Sequence, residues 1–198
     1  MNPIVEKSRR KLAMFVGTVP HRIALVINTT MGMNIPVQGL PLEHGREILM
    51  SDQEYGSIRS MWEYIAQEKG LKIRTIPLPT PPENHDQVVG AFAQGISRKT
   101  QIMVFSHVVT PVKALCRLAH DYGALAIVDG AHAVGMVPVD ITDFECDFYT
   151  SSCHKWLLAP KGVGMAYIPE PLESMRPAHT GIWPQPTQRS GSFRCFRH

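Results

Sequence analysis

The sequence has few of the features that would place it at once in a class. Its four cysteines (Cys116, Cys146, Cys153 and Cys195) form neither a CxxC metal motif nor a disulfide framework. No apolar run approaches the ~18 residues that cross a bilayer, and no signal peptide opens the sequence. A net charge of +3 without a basic run gives no reason to expect nucleic acid. We therefore expect a cytoplasmic protein without a metal, nucleic-acid or membrane partner.

Several enzyme motifs are also missing. No GxGxxG follows the first predicted strand, and no Walker A sequence is present, which argues against a Rossmann-like nucleotide-binding module. The GxSxG elbow of a Ser–His hydrolase is absent as well. The nucleotide-binding alternative remains only because strands and helices alternate along the chain.

The composition is that of a globular protein, with 44% apolar and 19% charged residues among 198. Strands are predicted over Ile23–Ile27, Glu47–Met50, Leu71–Leu78, Gln101–Phe105, Ala124–Val128, Asp147–Thr150 and Gly162–Ile168. Helices are predicted over Val5–Phe15, Met31–Leu40, Ser57–Glu68, about 84–94 and Val112–Tyr122. This alternation predicts a three-layer α/β/α fold around a mostly parallel sheet. We divide the chain into an N-terminal helix (1–20), a large domain (21–170) and a proline-rich irregular tail (171–198).

In such a sheet, ligands bind at the carboxyl ends of the strands. Asp129 ends the most apolar predicted strand, where a carboxylate is costly unless a cation or strong donor pairs with it. A helix N-cap in the turn after the strand is the alternative interpretation of this residue.

Lys155 follows another predicted strand and precedes the glycine-containing turn Lys161–Gly164. A lone lysine is usually a solvated surface residue. Desolvation at a crowded strand end instead favours the neutral amine, which Schiff-base chemistry requires.

The segment Asn28–Gly32 follows the first predicted strand and opens a helix. Backbone N–H groups and the positive end of a helix attract phosphate, so this segment is a candidate phosphate cradle. A threonine that serves only as the N-cap is the alternative.

The ordered motifs Asp129–Gly135, Cys146–Tyr149, Ser152–Trp156 and Lys161–Gly164 resemble the class V aminotransferase family of fold-type I pyridoxal 5′-phosphate (PLP) enzymes. That family includes cysteine desulfurases and isopenicillin N epimerase-like proteins. The resemblance extends over about 11–168 and implies the PLP-binding large domain of the fold, without the small C-terminal domain.

The resemblance implies roles for three residues. Lys155 would form the Schiff base with PLP and later move protons at the substrate Cα. Asp129 would pair with the pyridine nitrogen and keep it protonated. His132 fills the position that contacts the ring 3-hydroxyl group.

The resemblance also implies the remaining cofactor contacts. Thr29 and Thr30 would hold the phosphate, and Ser152 and His154 would add phosphate contacts. Tyr55 fills the position of the side chain that stacks on the ring. Core packing for Tyr55 and a packing or hydrogen-bonding role beside the lysine for His154 remain alternatives.

Two departures from the family separate our two hypotheses. The segment Ser106–Val112 is shorter than in the family, and the C-terminal domain that usually supplies an arginine for the substrate carboxylate is missing. The first hypothesis is a homodimeric PLP enzyme that acts on an amino acid or amine through Lys155. The second is a truncated, non-catalytic remnant that at most binds PLP.

Overall fold

The computed structural model describes residues 2–170. Its strands are β1 (Ile23–Val26), β2 (Glu47–Ser51), β3 (Lys72–Ile76), β4 (Thr100–Ser106), β5 (Leu125–Asp129), β6 (Phe148–Ser151) and β7 (Gly164–Tyr167). Its α-helices are α1 (Pro3–Phe15), α2 (Thr29–Gly39), α3 (Gly56–Lys69), α4 (His85–Gly95), α5 (Val112–Asp121) and α6 (Ile141–Phe144). Short 3₁₀ helices span Pro20–Arg22 and His107–Val109.

The seven strands form one sheet in the order β1-β7-β6-β5-β4-β2-β3. Neighbours among β2 to β6 pair in parallel, while β7 runs antiparallel to both β1 and β6. Six strands therefore share one direction, which confirms the predicted α/β architecture with a mostly parallel sheet. Their carboxyl ends lie at one edge of the sheet.

Alternate side chains of the strands point into two separate hydrophobic layers. Leu49 and Met103 pack in the layer that contains buried residues of α1, α4 and α5. Ile48 and Ile102 pack in the layer with α2 and α3. This two-sided burial explains why the central strands are nearly continuous in apolar residues.

Helix α3 shows how the sequence defines an element. Ile58, Trp62, Ile65 and Ala66 recur at helical spacing and are all buried on the sheet. The helix ends at Gly70, whose φ of 70° lies in the left-handed region that glycine adopts without strain.

The start of α2 differs from the sequence prediction. The helix begins at Thr29, and Asn28 is its N-cap, since the Asn28 side chain accepts a hydrogen bond of 2.8 Å from the Met31 N–H. The interpretation of a threonine as the N-cap is therefore wrong. Asn28 leaves both threonines in the first turn of the helix, where they are available for other partners.

The predicted irregular tail lies outside the described residues. Over residues 2–170, every helix is too short or too polar to cross a membrane.

Candidate active site

A cleft lies at the edge of the sheet where the parallel strands end. Ser51, Ser106, Asp129 and Ser151 are the last residues of β2, β4, β5 and β6. Ser106 and Asp129 lie opposite each other on the adjacent strands β4 and β5. The cleft has a volume of about 350 Å³ and is lined by Gln53, Tyr55, Ser106, Val108, Val109, Asp129, Ala131, His132, Met136, Lys155 and Trp156. Several predicted site residues therefore meet in one cavity.

Asp129 lies in this cleft and is only 5% exposed. Its Oδ1 accepts a hydrogen bond of 2.9 Å from the Ala131 N–H, within a turn rather than a helix, so the N-cap interpretation is wrong. Burial raises the pKa of Asp129, although the Ala131 N–H and the nearby Lys155 and His132 oppose that rise. Within residues 2–170, its carboxylate forms no salt bridge.

The side chain of Lys155 lies in the same cleft. Its Nζ is 2.9 Å from His132 Nε2 and 6.0 Å from the centre of the Tyr55 ring. The Lys155 N–H donates to the Ser152 carbonyl at 3.0 Å in the turn after β6. This turn directs the half-buried Lys155 side chain into the cleft.

His132 joins two side chains that are adjacent in the sequence. Its Nε2 is the atom near Lys155, and its Nδ1 accepts a hydrogen bond of 3.0 Å from the Trp156 indole N–H. The sequence analysis assigned no role to Trp156, because its partner is 24 residues away. The two contacts hold the imidazole between the lysine and the indole.

The first turn of α2 contacts the segment after β6 through Thr29 and Ser152. Ser152 Oγ accepts from the Thr29 N–H at 2.9 Å and lies 2.8 Å from Thr29 Oγ1. Both residues are buried. Thr30 is half-buried beside them in the same turn. Backbone N–H groups and hydroxyl groups thus meet at a helix N-terminus, the donor set that favours an anion.

Two other predicted residues occupy different surroundings. Tyr55 is 62% exposed, so the core-packing alternative is wrong for this residue. The backbone N–H and ring Nδ1 of His154 each lie 3.1 Å from the Val163 carbonyl. In the described part of the chain, the His154 ring makes no hydrogen bond to Thr29 or Ser152. Its geometry therefore agrees with the hydrogen-bonding alternative.

The sequence analysis missed a buried carboxyl group next to the cleft. Glu54 Oε1 accepts from Ser51 Oγ at 2.5 Å, and its Oε2 accepts from Ser106 Oγ at 2.9 Å. Burial raises the pKa of Glu54 to about 7, the two serine hydroxyl groups oppose the rise, and Asp129 adds to it. An acidic residue three positions after a buried strand was the available clue.

The connection between β4 and α5 is short in the structure, as in the sequence. Only the 3₁₀ helix His107–Val109, Thr110 and Pro111 separate the two elements. His107 Nδ1 lies 2.7 Å from the Tyr149 hydroxyl group, and burial lowers the pKa of His107 to about 4. The lowered pKa favours the neutral imidazole at physiological pH, and its Nδ1 shares a hydrogen bond with the Tyr149 hydroxyl group.

Within residues 2–170, no group of three or more His, Cys, Asp and Glu side chains could hold a metal ion.

Comparison with known proteins relates this cleft to one family. The family model described as aminotransferase class V matches residues 1–183. Isopenicillin N epimerase of Streptomyces clavuligerus is 38% identical over 192 residues, covering 93% of this chain and 48% of the epimerase. A probable cysteine desulfurase of Vibrio cholerae serotype O1 is 32% identical over 187 residues, covering 89% of this chain and 45% of that protein.

A solved structure is also similar to this chain. A variant of C-DES with glycine covalently linked to its PLP cofactor matches with a TM-score of 0.79 and 28% identity. The match covers 84% of this chain and 46% of C-DES. The chain thus spans about half the length of the curated relatives and solved structures that it matches.

Proposed function

Because the chain belongs to the class V aminotransferase family, whose members depend on PLP, we propose that it binds PLP in the cleft and holds it through Lys155. The observation that carries this proposal is the meeting of Lys155 and Asp129 in one cavity at the carboxyl edge of the sheet. Lys155 would hold the cofactor covalently through its side-chain amine.

Asp129 fits the pyridine nitrogen of the cofactor. A buried carboxylate without a salt bridge in the described chain is costly, and a protonated ring nitrogen would supply the missing positive charge. With that charge beside it, Asp129 would stay ionised and hold the proton on the ring nitrogen. PLP, when bound, withdraws electrons from the substrate Cα through its ring.

The phosphate group fits the N-terminus of α2. Thr29, Thr30 and Ser152 offer hydroxyl groups there, and the helix end offers backbone N–H groups. Tyr55 supplies an exposed ring 6.0 Å from the Lys155 Nζ, and we propose that it covers one face of the cofactor. His154 would act on the phosphate only by giving up its Val163 contact, so we propose a supporting role for it.

The finer aspects of function follow from the relatives and remain proposals. We propose an amino acid or amine as the substrate, with transamination, epimerisation or desulfuration as the branches of chemistry to test. We also propose a homodimer. A cytoplasmic location is proposed because Cys116, Cys146 and Cys153 are free and buried.

The test is PLP binding to the purified chain, followed by absorption spectroscopy and borohydride reduction. We expect a Schiff-base band and, after reduction, a pyridoxyl group on Lys155 by peptide mass spectrometry. The variant Lys155→Ala should lose both. Lys161→Ala is the matched control, because Lys161 is exposed beyond the cleft and should leave both unchanged. A folded chain without an adduct at Lys155 would disprove the proposal.

A second candidate function is PLP binding without turnover. The short connection between β4 and α5 favours it, because that connection lies at the rim of the cleft and leaves few residues to contact a substrate. Incubation of the PLP-loaded chain with a panel of amino acids distinguishes an active enzyme from a chain that only binds PLP. Turnover of any amino acid, lost in Lys155→Ala, would exclude the second candidate.

A further inference from the structure

The contacts of His132 define which of its ring nitrogens carries the proton. The Trp156 indole nitrogen can only donate, and it lies 3.0 Å from His132 Nδ1. Nδ1 must therefore accept and carry no proton. A neutral imidazole has one ring proton, so that proton is on Nε2.

That proton has a consequence for Lys155. His132 Nε2–H points at Lys155 Nζ across 2.9 Å. An ammonium group has three donors and no lone pair, so it cannot accept this hydrogen bond. A neutral amine has a lone pair and can accept it. The pair of contacts is therefore consistent with an uncharged Lys155 and inconsistent with a charged one.

We propose that Trp156 is a positioning residue that fixes the His132 tautomer with its proton on Nε2 and thereby favours the neutral amine of Lys155. These contacts are present in the cofactor-free chain. Their functional significance rests on the proposed function, because only the neutral amine attacks an aldehyde. Trp156 would act through His132 without touching the reacting atoms.

Other groups that face Lys155 favour its charged form. The Asp129 carboxylate, at the end of β5, attracts a positive charge on Lys155. The Tyr55 ring, at the start of α3, offers its face to Nζ at 6.0 Å. Glu54 lies behind Asp129 and interacts with it. His154, beside Lys155 in the sequence, directs its ring to Val163. Without the His132 N–H, these surroundings would stabilise the ammonium.

The first measurement reads the His132 tautomer in the full, cofactor-free chain. The protein is labelled with ¹⁵N at histidine, and the His132 signals are assigned by their loss in His132→Gln. We expect the Nε2–H tautomer in the wild type, and a larger fraction of Nδ1–H in Trp156→Phe. Trp156 is 50% exposed, so this variant should fold. Tyr64→Phe, an exposed aromatic change in α3, is the control and should keep the wild-type tautomer.

The second measurement determines the chemical reactivity of the Lys155 amine. Competitive labelling with acetic anhydride over a pH series, followed by mass spectrometry, gives the reactivity of each lysine, with Lys161 as internal reference. We expect Trp156→Phe to react about tenfold more slowly at Lys155 at pH 7 and equally fast at high pH. A purely structural effect would change the rate at every pH.

Both measurements work without PLP, so their outcome is independent of the proposed function. If wild type and Trp156→Phe share one tautomer and one reactivity profile, the role of Trp156 is overturned. If PLP forms no adduct on Lys155 while the tautomer and profile shift as expected, the proposed function fails and the role of Trp156 as a positioning residue stands.

Discussion

At the scale of single residues, Asp129 illustrates a conflict between stability and binding. The residue is buried at the end of β5, and the hydrogen bond that its carboxylate accepts from the Ala131 N–H does not compensate for the burial that raises its pKa. A group held in such a costly state is a common property of binding sites, where a ligand supplies the missing partner. Substitution of Asp129 should therefore have opposite effects on the stability of the chain and on ligand binding.

We expect Asp129→Asn to stabilise the cofactor-free chain and weaken PLP binding. The amide oxygen can still accept from Ala131, and the buried negative charge is gone, so the free energy of unfolding at pH 8 should rise by on the order of 1 kcal/mol. Loss of the charged partner of the ring nitrogen should weaken PLP binding by about 10- to 100-fold. Denaturant unfolding and a fluorescence titration measure the two quantities.

Asp121→Asn is the matched control for that experiment, because Asp121 is exposed at the end of α5. It should leave both quantities unchanged. An Asp129→Asn chain that is less stable and binds PLP as tightly as the wild type would contradict the prediction in both its parts.

The site residues differ in how far the sequence alone could identify them. Asp129 and Lys155 could be found because their settings are local: Asp129 ends an apolar strand, and Lys155 follows a Ser/Thr-rich strand end. Glu54 and Trp156 could not be assigned a role, since their contacts join residues 52 and 24 positions apart. A hydrogen bond of that kind depends on strand order and side-chain direction, and neither is visible in a local pattern.

At the scale of elements, the approach of α2 to β6 positions the candidate phosphate site. Gly32 lies in α2 against Thr150 of β6, and a Cβ at Gly32 would overlap Thr150 Oγ1. That hydroxyl group cannot easily move, because it donates to the Met165 carbonyl at 3.0 Å. The missing side chain therefore allows the N-terminus of α2 to lie beside Ser152.

We expect Gly32→Ala to destabilise the chain by about 1–3 kcal/mol, the usual cost of an overpacked contact. Gly90→Ala in α4 is a matched control, since a Cβ at Gly90 meets nothing within 4 Å. Alanine is the better helix former, so that control should gain up to about 1 kcal/mol. Denaturant unfolding of the two variants should therefore give changes of opposite sign, and a stabilised Gly32→Ala would refute the close contact.

The strands and the longer helices were predictable from the sequence, while the short helices were not. Helix α5 has apolar residues at regular helical spacing, and β5 is nearly continuous in apolar residues, so both were expected within one or two residues of their observed bounds. Helix α6 has only four residues, which is too short for a periodic pattern. The antiparallel direction of β7 depends on its pairing with β1 and β6 rather than on its composition.

At the scale of the whole molecule, the sheet gathers residues from distant parts of the sequence at one edge. Thr29 follows β1, Glu54 follows β2, Ser106 ends β4, and Asp129 ends β5. The sequence predicted this edge because parallel strands in α/β folds bind ligands there. It could not predict that two carboxyl groups, Glu54 and Asp129, would interact across it.

This carboxyl pair affects the stability of the entire fold. The pKa of Glu54 is about 7 in the folded chain against an ordinary value of 4.5, so the folded state retains a proton that the unfolded state has lost. The contribution of Glu54 to the free energy of unfolding should therefore be greatest below the ordinary value and fall by about 3 kcal/mol as pH rises through 7. His107, with its pKa lowered from 6.5 to about 4, contributes a rise of similar size over nearly the same pH range, so the two slopes largely cancel in the wild type.

Glu54→Gln isolates the contribution of Glu54, because His107 and Asp129 are present in both chains. Glutamine does not titrate, so the variant should lack the decline toward high pH. Its stability relative to the wild type should increase by about 3 kcal/mol between pH 5 and pH 8, measured by denaturant unfolding across that range. Glu68→Gln, an exposed change on α3, should follow the wild type at every pH. Parallel curves for Glu54→Gln and the wild type would mean that Glu54 is already ionised in the folded chain at pH 5. The two serine hydroxyl groups would then stabilise its charge more strongly than burial opposes it.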